Sequence, residues 1–338
     1  VKFSHLILAL VVAGSLVTGC GAGGGESEST AELQPLPSEL KEVKVTLDGV
    51  AGPENVAIAM AIERGFFADV GMEVWEGVPV LPSRPINYTT SPTIDLGVTQ
   101  QPQVPIAKEN GAPIVAVGSL VTEPTAAMIW LPKSKIQGIS DLKGKTVAIP
   151  GIPYEEDLLE SILKRAGLTL DDVDLKRVSY ELAPALLSGR ADAIFGGSWN
   201  IEGVTLRERG AKPVIKKVQE LGVPGYEELV IITRTDRAAE KPKLIRDFLS
   251  AVVRGAEAAV ADPEGAVEVI EENPESNAEL TPAITRAQVK ATLPLLSQSG
   301  RMDTAIASDF IAWMHEQGMI RSAPPASELF SNDFLEQP

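Results

Sequence analysis

Four short stretches of this 338-residue chain place polar or aromatic side chains where an apolar run gives way to a helical pattern. Strand ends and helix starts leave backbone N–H groups free, so side chains gathered there can converge on a ligand. Asp48 to Asn55 follows the run VKVTLD. Asp48 and Asn55 can hydrogen-bond a ligand there, or only shape a turn and cap the next helix. Gln100 and Gln101 follow IDLGVT. An amide pair at that place reads a donor and acceptor edge, unless both are simply solvated. Gly151-Ile152-Pro153-Tyr154-Glu155 opens a helix. Gly151 lets backbone approach a ligand, and Tyr154 can stack or donate. Trp199-Asn200-x-Glu202 follows DAIF and two glycines. Trp199 suits stacking on a planar ring and Glu202 can accept from ring amino groups; otherwise Trp199 packs on the core and Glu202 complements a helix dipole. Tyr226, near a crossing between lobes, completes the candidate set, and Trp130 reads as core.

The set offers donors, acceptors and flat rings, so its chemistry is recognition rather than turnover. Cys20 is the single cysteine, and the two histidines are His5 and His315. Thiolate zinc sites, internal disulfides and Cys-His catalysis are therefore excluded, and a Ser-His-Asp triad would have to rest on His315 alone. Acidic residues are plentiful, but no spacing singles out a catalytic pair. No cofactor, metal or catalytic residue is expected. The formal net charge of −16 argues against nucleic-acid binding, which needs a basic surface.

Stepping out from these stretches, residues 1–20 carry Lys2, an apolar run of about a dozen residues and small residues before Cys20, the layout of a secretory signal peptide. The run is shorter than the ~20 residues of a membrane-spanning helix. The closing Leu16-Val17-Thr18-Gly19-Cys20 resembles the lipobox of bacterial lipoproteins, which implies lipidation at Cys20 and removal of residues 1–19. Residues 20–42 are rich in Gly, Ser, Glu and Pro, a flexible linker.

Beyond the linker, apolar strand-like runs alternate with helical patterns, the signature of an α/β fold. Strands are expected over Val43–Asp48, Met72–Trp75, Ile94–Thr99, Pro113–Leu120, Ala126–Leu131, Thr146–Ile149, Leu175–Ser179, Asp192–Phe195 and Glu228–Thr233. Helices are expected over Asn55–Phe67, Pro102–Asn110, Glu155–Ala166, Leu182–Leu187, Asn200–Arg209, Pro242–Ala261, a stretch opened by Asp262-Pro263, Arg286–Leu296 and Ala305–Gln317. Residues 133–228 form an α/β unit between the strands AAMIWL and ELVIIT, which are expected to be the two crossings. Lobe I would then be 43–132 plus 229–338, lobe II 133–228, with a ligand cleft between them.

Several stretches resemble the solute-binding proteins of ABC importers, in the group that holds binders of thiamine pyrimidine precursors and of taurine-like sulfonates. They are VTLDGVAGPENVAIAMAIERGFFADVGMEV, SDLKGKTVAIPGIPYEEDLLESILKRAGL, LLSGRADAIFGGSWNIEG and GVPGYEELVIIT. The resemblance implies the type II periplasmic-binding fold, in which two α/β lobes joined by two crossover strands close on one small solute. It also implies an exported monomer, held by lipid alone to the outer face of the cell membrane or on the periplasmic side, that delivers its ligand to a permease and ATPase. In the pyrimidine binders the first loop carries a tryptophan after the aspartate and a histidine soon after; here Gly49 follows Asp48 and the histidine is missing. The aromatics and Glu202 favour a planar amino-bearing heterocycle, such as a thiamine pyrimidine precursor. The alternative is a small oxyanion, a sulfonate or nitrate, for which Arg84 is the available cation. Eukaryotic relatives of the pyrimidine binders are enzymes that use histidine and a cysteine cluster, which this chain lacks.

Overall fold

Two sets of apolar runs, separated by exposed polar connections, give the chain two sheets rather than one. The computed structural model describes residues 40–49, 51–77, 85–179, 181–273 and 280–335. Cys20, the signal and linker region up to residue 39, and Arg84 lie outside the described residues.

The first sheet holds β1 (Lys41–Thr46), β2 (Met72–Gly77), β3 (Leu96–Gln100), β4 (Ile114–Val121) and β10 (Leu229–Arg234), in the order β2-β1-β3-β10-β4. The second holds β5 (Ala126–Trp130), β6 (Thr146–Ile149), β7 (Asp174–Arg177), β8 (Ala193–Ser198) and β9 (Val214–Lys217), in the order β7-β6-β8-β5-β9. Each sheet has parallel pairs on one side and one antiparallel strand, β10 or β5, between two neighbours. Those antiparallel strands are the ones the chain enters after crossing from the other sheet. Two α/β lobes joined by two crossovers result, with the connections at 122–125 and 218–228.

The position of β5 corrects the sequence-based boundary at 132/133. AAMIWL is not a crossing in lobe I; it pairs with β8 and β9 inside the second sheet. All five residues of β5 are buried, and its two faces pack into different apolar clusters. An apolar run buried on both faces reads the same in either sheet, so its pattern could not assign it to one lobe. Strand β9 (VIKK) was not expected, because a half-buried edge strand with two lysines lacks the apolar signal.

The helices are α1 (Val56–Glu63), α2 (Phe66–Asp69), α3 (Pro85–Thr89), α4 (Gln103–Glu109), α5 (Pro153–Arg165), α6 (Leu182–Ser188), α7 (Glu202–Glu208), α8 (Thr235–Glu240), α9 (Pro242–Ala261), α10 (Pro263–Glu272), α11 (Pro282–Thr292) and α12 (Thr304–Glu316). The helix expected over 55–67 is two, parted at Arg64-Gly65. Helix α9 buries a stripe including Leu244, Ile245, Phe248, Leu249 and Val252 against the first sheet's cluster, the spacing that sets an amphipathic helix. Asp262 caps α10, accepting from Gly265 N–H at 3.0 Å, with Pro263 in the first helical position. Helix α11 starts before the expected Arg286, because Thr281 accepts from Ile284 N–H and Pro282 sets the first turn. Helix α11 reaches the cleft through Gln288.

Candidate functional site

Strand β1 ends at Thr46, and the chain turns through Asp48 into a short 3-10 turn, Pro53–Asn55, ahead of α1. Across the cleft, β6 ends ahead of Ile152 and α5, while β8 ends ahead of α7. These strand ends face one another over a cavity of about 400 Å³. Asp48, Glu54, Asn55 and Gln100 come from the first lobe, and Ile152, Glu155, Gly196, Ser198 and Glu202 from the second. Glu228 lines the cavity from the return crossing, and Gln288 from α11.

Five carboxylates without an ion-pair partner therefore share one cavity, Asp48, Glu54, Glu155, Glu202 and Glu228, beside the exposed Glu181, which pairs with Arg190 at 3.0 Å. Glu155 and Glu228 are buried, and the other three are partly buried. None of the five makes an ion pair among the described residues. Arg209, exposed, is the cation among the described lining residues. Loss of water around a carboxylate disfavours its charged form, and neighbouring negative charges add to this. Burial pushes Asp48 up to about 6, against the lowering effect of its bond from Asn55. Burial likewise raises Glu202 to about 7. Glu155 is driven well above the carboxylate range by burial, then by the charges of Glu228 and Glu202. Glu54 and Glu228 are both raised, first by burial; the charges of Glu228 and Asp48 add to the rise at Glu54, and that of Asp48 to the rise at Glu228.

The hydrogen bonds show what holds these groups. Asn55 Nδ2 donates to Asp48 Oδ1 at 3.2 Å and Gln100 Nε2 to Asp48 Oδ2 at 3.4 Å. Glu202 Oε2 accepts from Ser198 N–H at 2.7 Å, folding the side chain back over its own helix start. Glu228 Oε2 accepts from Thr125 N–H at 2.6 Å, so this carboxylate ties the outgoing crossing to the returning one. Glu155 packs against Gly196, whose φ of +79° and lack of a side chain are both needed: a Cβ there would stand 2.6 Å from Glu155 Oε2. Glu155 Oε2 and Asn55 Oδ1 have no hydrogen-bond partner. The cavity thus holds fixed acceptors without donors to meet them.

The lobes also touch directly. Asn200 Nδ2, fully buried in the second lobe, donates to Glu54 Oε1 at 3.1 Å and to Thr292 Oγ1 at 2.8 Å. Gln288 Nε2 on α11 donates to Thr205 Oγ1 at 2.9 Å and to Ile201 O at 3.3 Å.

Of the residues singled out in the sequence, the structure brings Asp48, Asn55, Gln100, Glu155 and Glu202 to the cavity. The other six are placed elsewhere. Gln101 is buried behind the wall, its Oε1 accepting from Glu227 N–H at 2.6 Å. Gly151 turns the backbone beside Arg177 with φ +89°. Tyr154 is buried and borders a separate groove against α4. Trp199 packs between two apolar clusters with Lys217 Nζ 3.7 Å from its ring centroid. Asn200 reaches the cavity wall through Glu54, and Tyr226 meets Phe310 in a tilted contact with ring centroids 4.7 Å apart. The aromatics pack inward because their apolar area finds a core beside each strand end.

Glu54, Glu228, Ser198 and Gln288 escaped the sequence reading as site residues. Glu54 adjoins Asn55 and Glu228 opens an apolar strand, and an acidic side chain at the mouth of a buried run is the signal that could have found both.

The chain as a whole is similar to known proteins. A family described as NMT1/THI5 like matches residues 53–266. The formylaminopyrimidine-binding protein of Halalkalibacterium halodurans is 30% identical over 298 residues, covering 87% of this chain and 90% of that protein. The 4-amino-5-hydroxymethyl-2-methylpyrimidine phosphate synthase of Uromyces fabae is 31% identical over 235 residues, 66% of this chain and 68% of that one. Among solved structures, the alkanesulfonate-binding protein SsuA of Xanthomonas axonopodis pv. citri bound to MOPS superposes with a TM-score of 0.67 at 16% identity. It covers 87% of this chain and 99% of that one. That likeness shows the fold: a periplasmic-binding-protein architecture.

Proposed function

This chain belongs to the NMT1/THI5-like family, and from that premise we propose that it is the extracytoplasmic solute-binding component of an ABC importer. It captures a small, planar, amino-bearing heterocycle of the aminopyrimidine type between its lobes and releases it unchanged to a permease. One observation carries the reading: of the six carboxylates that line the interlobe cavity, all but Glu181 lack an ion-pair partner among the described residues. At neutral pH such a set contains both protonated and ionised carboxyls. A carboxyl accepts from an exocyclic amine and shares a hydrogen bond with a ring nitrogen, whichever of the two holds the proton, and that is the edge an aminopyrimidine presents.

The binding-protein relative, 30% identical over most of this chain, supports capture and release over turnover. Glu228 bonds the outgoing crossing through Thr125, so a ligand that engages Glu228 acts at the hinge itself. The formylaminopyrimidine-binding relative supports the ligand class, and the sequence of residues 16–20 supports a lipid anchor at Cys20. An oxyanion is disfavoured, because a sulfonate would enter a field of like charge with the exposed Arg209 as its counter-ion among the described lining residues.

Calorimetric titration of the exported domain with 4-amino-5-hydroxymethyl-2-methylpyrimidine and with an alkanesulfonate tests the proposal. Saturable heat with the pyrimidine, none with the sulfonate, and recovery of the pyrimidine unaltered are expected. Binding of the sulfonate alone, or consumption of the pyrimidine, would refute it.

A further inference from the structure

Resting on that solute-capture reading, we propose that the cleft takes its ligand as a cation — a compact amine, amidine or protonated amino-azine — and excludes phosphorylated or otherwise anionic forms of the same ring. The charged groups facing the cavity are Asp48, Glu54, Glu155, Glu202 and Glu228, with Glu181 and Arg209 beside them. Glu181 is engaged with Arg190 at 3.0 Å, and Arg209 is exposed. The remaining five have no cation of the protein to meet them among the described residues.

Two unpartnered acceptors point to what is missing. Glu155 is 4% exposed and its Oε2 has no hydrogen-bond partner; Asn55 is 4% exposed and its Oδ1 has none. They approach the cavity from opposite lobes, and both want N–H donors. A buried acceptor left without a donor is unfavourable, and a buried carboxylate more so, hence the free protein is arranged against itself here. A ligand that brings positive charge and several N–H groups relieves both deficits at once. The five are spread around the cavity rather than drawn to a point: among the described residues no three acidic, histidine or cysteine side chains are placed to hold a metal ion. An extended organic cation matches that spread. A phosphate ester of the same ring would add negative charge to an uncompensated negative cluster in a poorly hydrated cleft, where like charges repel strongly.

The test is calorimetric titration with four probes. The probes are 4-amino-5-hydroxymethyl-2-methylpyrimidine, its phosphate ester, its N-methylated and permanently cationic form, and acetamidinium as a cation without the ring. The permanently cationic ring is expected to bind at least as tightly as the parent, and the phosphate ester about a hundredfold more weakly or not at all. Glu155→Gln should weaken the cationic ring by about tenfold to a hundredfold, the range for a hydrogen bond to a charged group. If Glu155→Gln does not fold, Glu202→Gln supplies the same reading, with melting temperatures taken on each variant. Equal affinity for the phosphate ester, or cation affinity indifferent to both substitutions, would overturn the inference. Those results with the parent ring still bound would leave the heterocycle reading standing. Acetamidinium bound while every ring fails would do the reverse, and silence from all four probes would sink both.

Discussion

Two sets of acidic residues in this protein sit in opposite environments. On the surface, Glu264 sits between Lys290 at 3.2 Å and Arg286 at 3.0 Å, and their hydrogen bonds and charge hold it below the usual carboxylate range. Asp172 accepts from Thr169 N–H at 3.0 Å and pairs with Lys143 at 3.0 Å, and it too is lowered. In the cleft, by contrast, Asp48, Glu54, Glu155, Glu202 and Glu228 have no cationic partner among the described residues, and all are raised. Glu264 and Asp172 belong to settled networks, whereas the five cleft acids form a network missing its counterpart. A bound solute is the natural complement.

The largest effect that could break this contrast is the dependence of stability on pH. A carboxyl whose folded-state pKa lies above its unfolded value binds protons more tightly when folded. Its contribution is therefore present below the unfolded pKa and lost as pH rises through the folded one. For Glu202, raised from 4.5 to about 7, that is a loss of about 3 kcal/mol between pH 4.5 and about 8. Denaturant unfolding of the unliganded protein should show stability falling over this window, and Glu202→Gln should flatten the fall. A curve that rises or stays level would remove the distinction between cleft and surface.

Trp199 sharpens the contrast between charge and stacking. Its ring is packed between two clusters and covered by Lys217, away from the cavity lining. Trp199→Ala should lower unfolding stability by about 2–4 kcal/mol through lost packing. Ligand affinity at a temperature where the variant is folded should change little. Unchanged stability with abolished binding would instead mark the ring as a stacking platform.

The smallest effect lies at the surface. Glu264→Gln should leave the melting temperature where it was and its pH profile unaltered, because exposed pairs are screened and contribute little. A shift as large as that from Glu202→Gln would show that position in the cleft is not what distinguishes the two sets.

Much of this architecture is legible in the sequence. The strand-helix alternation, the Asp262-Pro263 helix start and the clustering of site residues at strand ends all follow from local patterns, because each depends on a few neighbouring residues. Lobe membership of β5 was not legible, since a doubly buried run carries no mark of which sheet it joins. The cavity was half legible. Asp48, Asn55, Gln100, Glu155 and Glu202 stand at chain positions where strands end, but Trp199 and Tyr226 do too, and burial against their own lobes took both inward. Glu228 was hidden because its role depends on Thr125, a contact 103 residues away in sequence.

Site-resolved titration of the side-chain carboxyl carbons by NMR, with and without the aminopyrimidine, tests the unmatched cleft most directly. In the free protein Asp48 should titrate near about 6 and Glu202 near about 7. On adding the ligand both should move down toward the ordinary carboxylate range, while Glu264 and Asp172 stay below it throughout. Cleft carboxyls that titrate near about 4 in the free protein, or that ignore the ligand, would contradict the account.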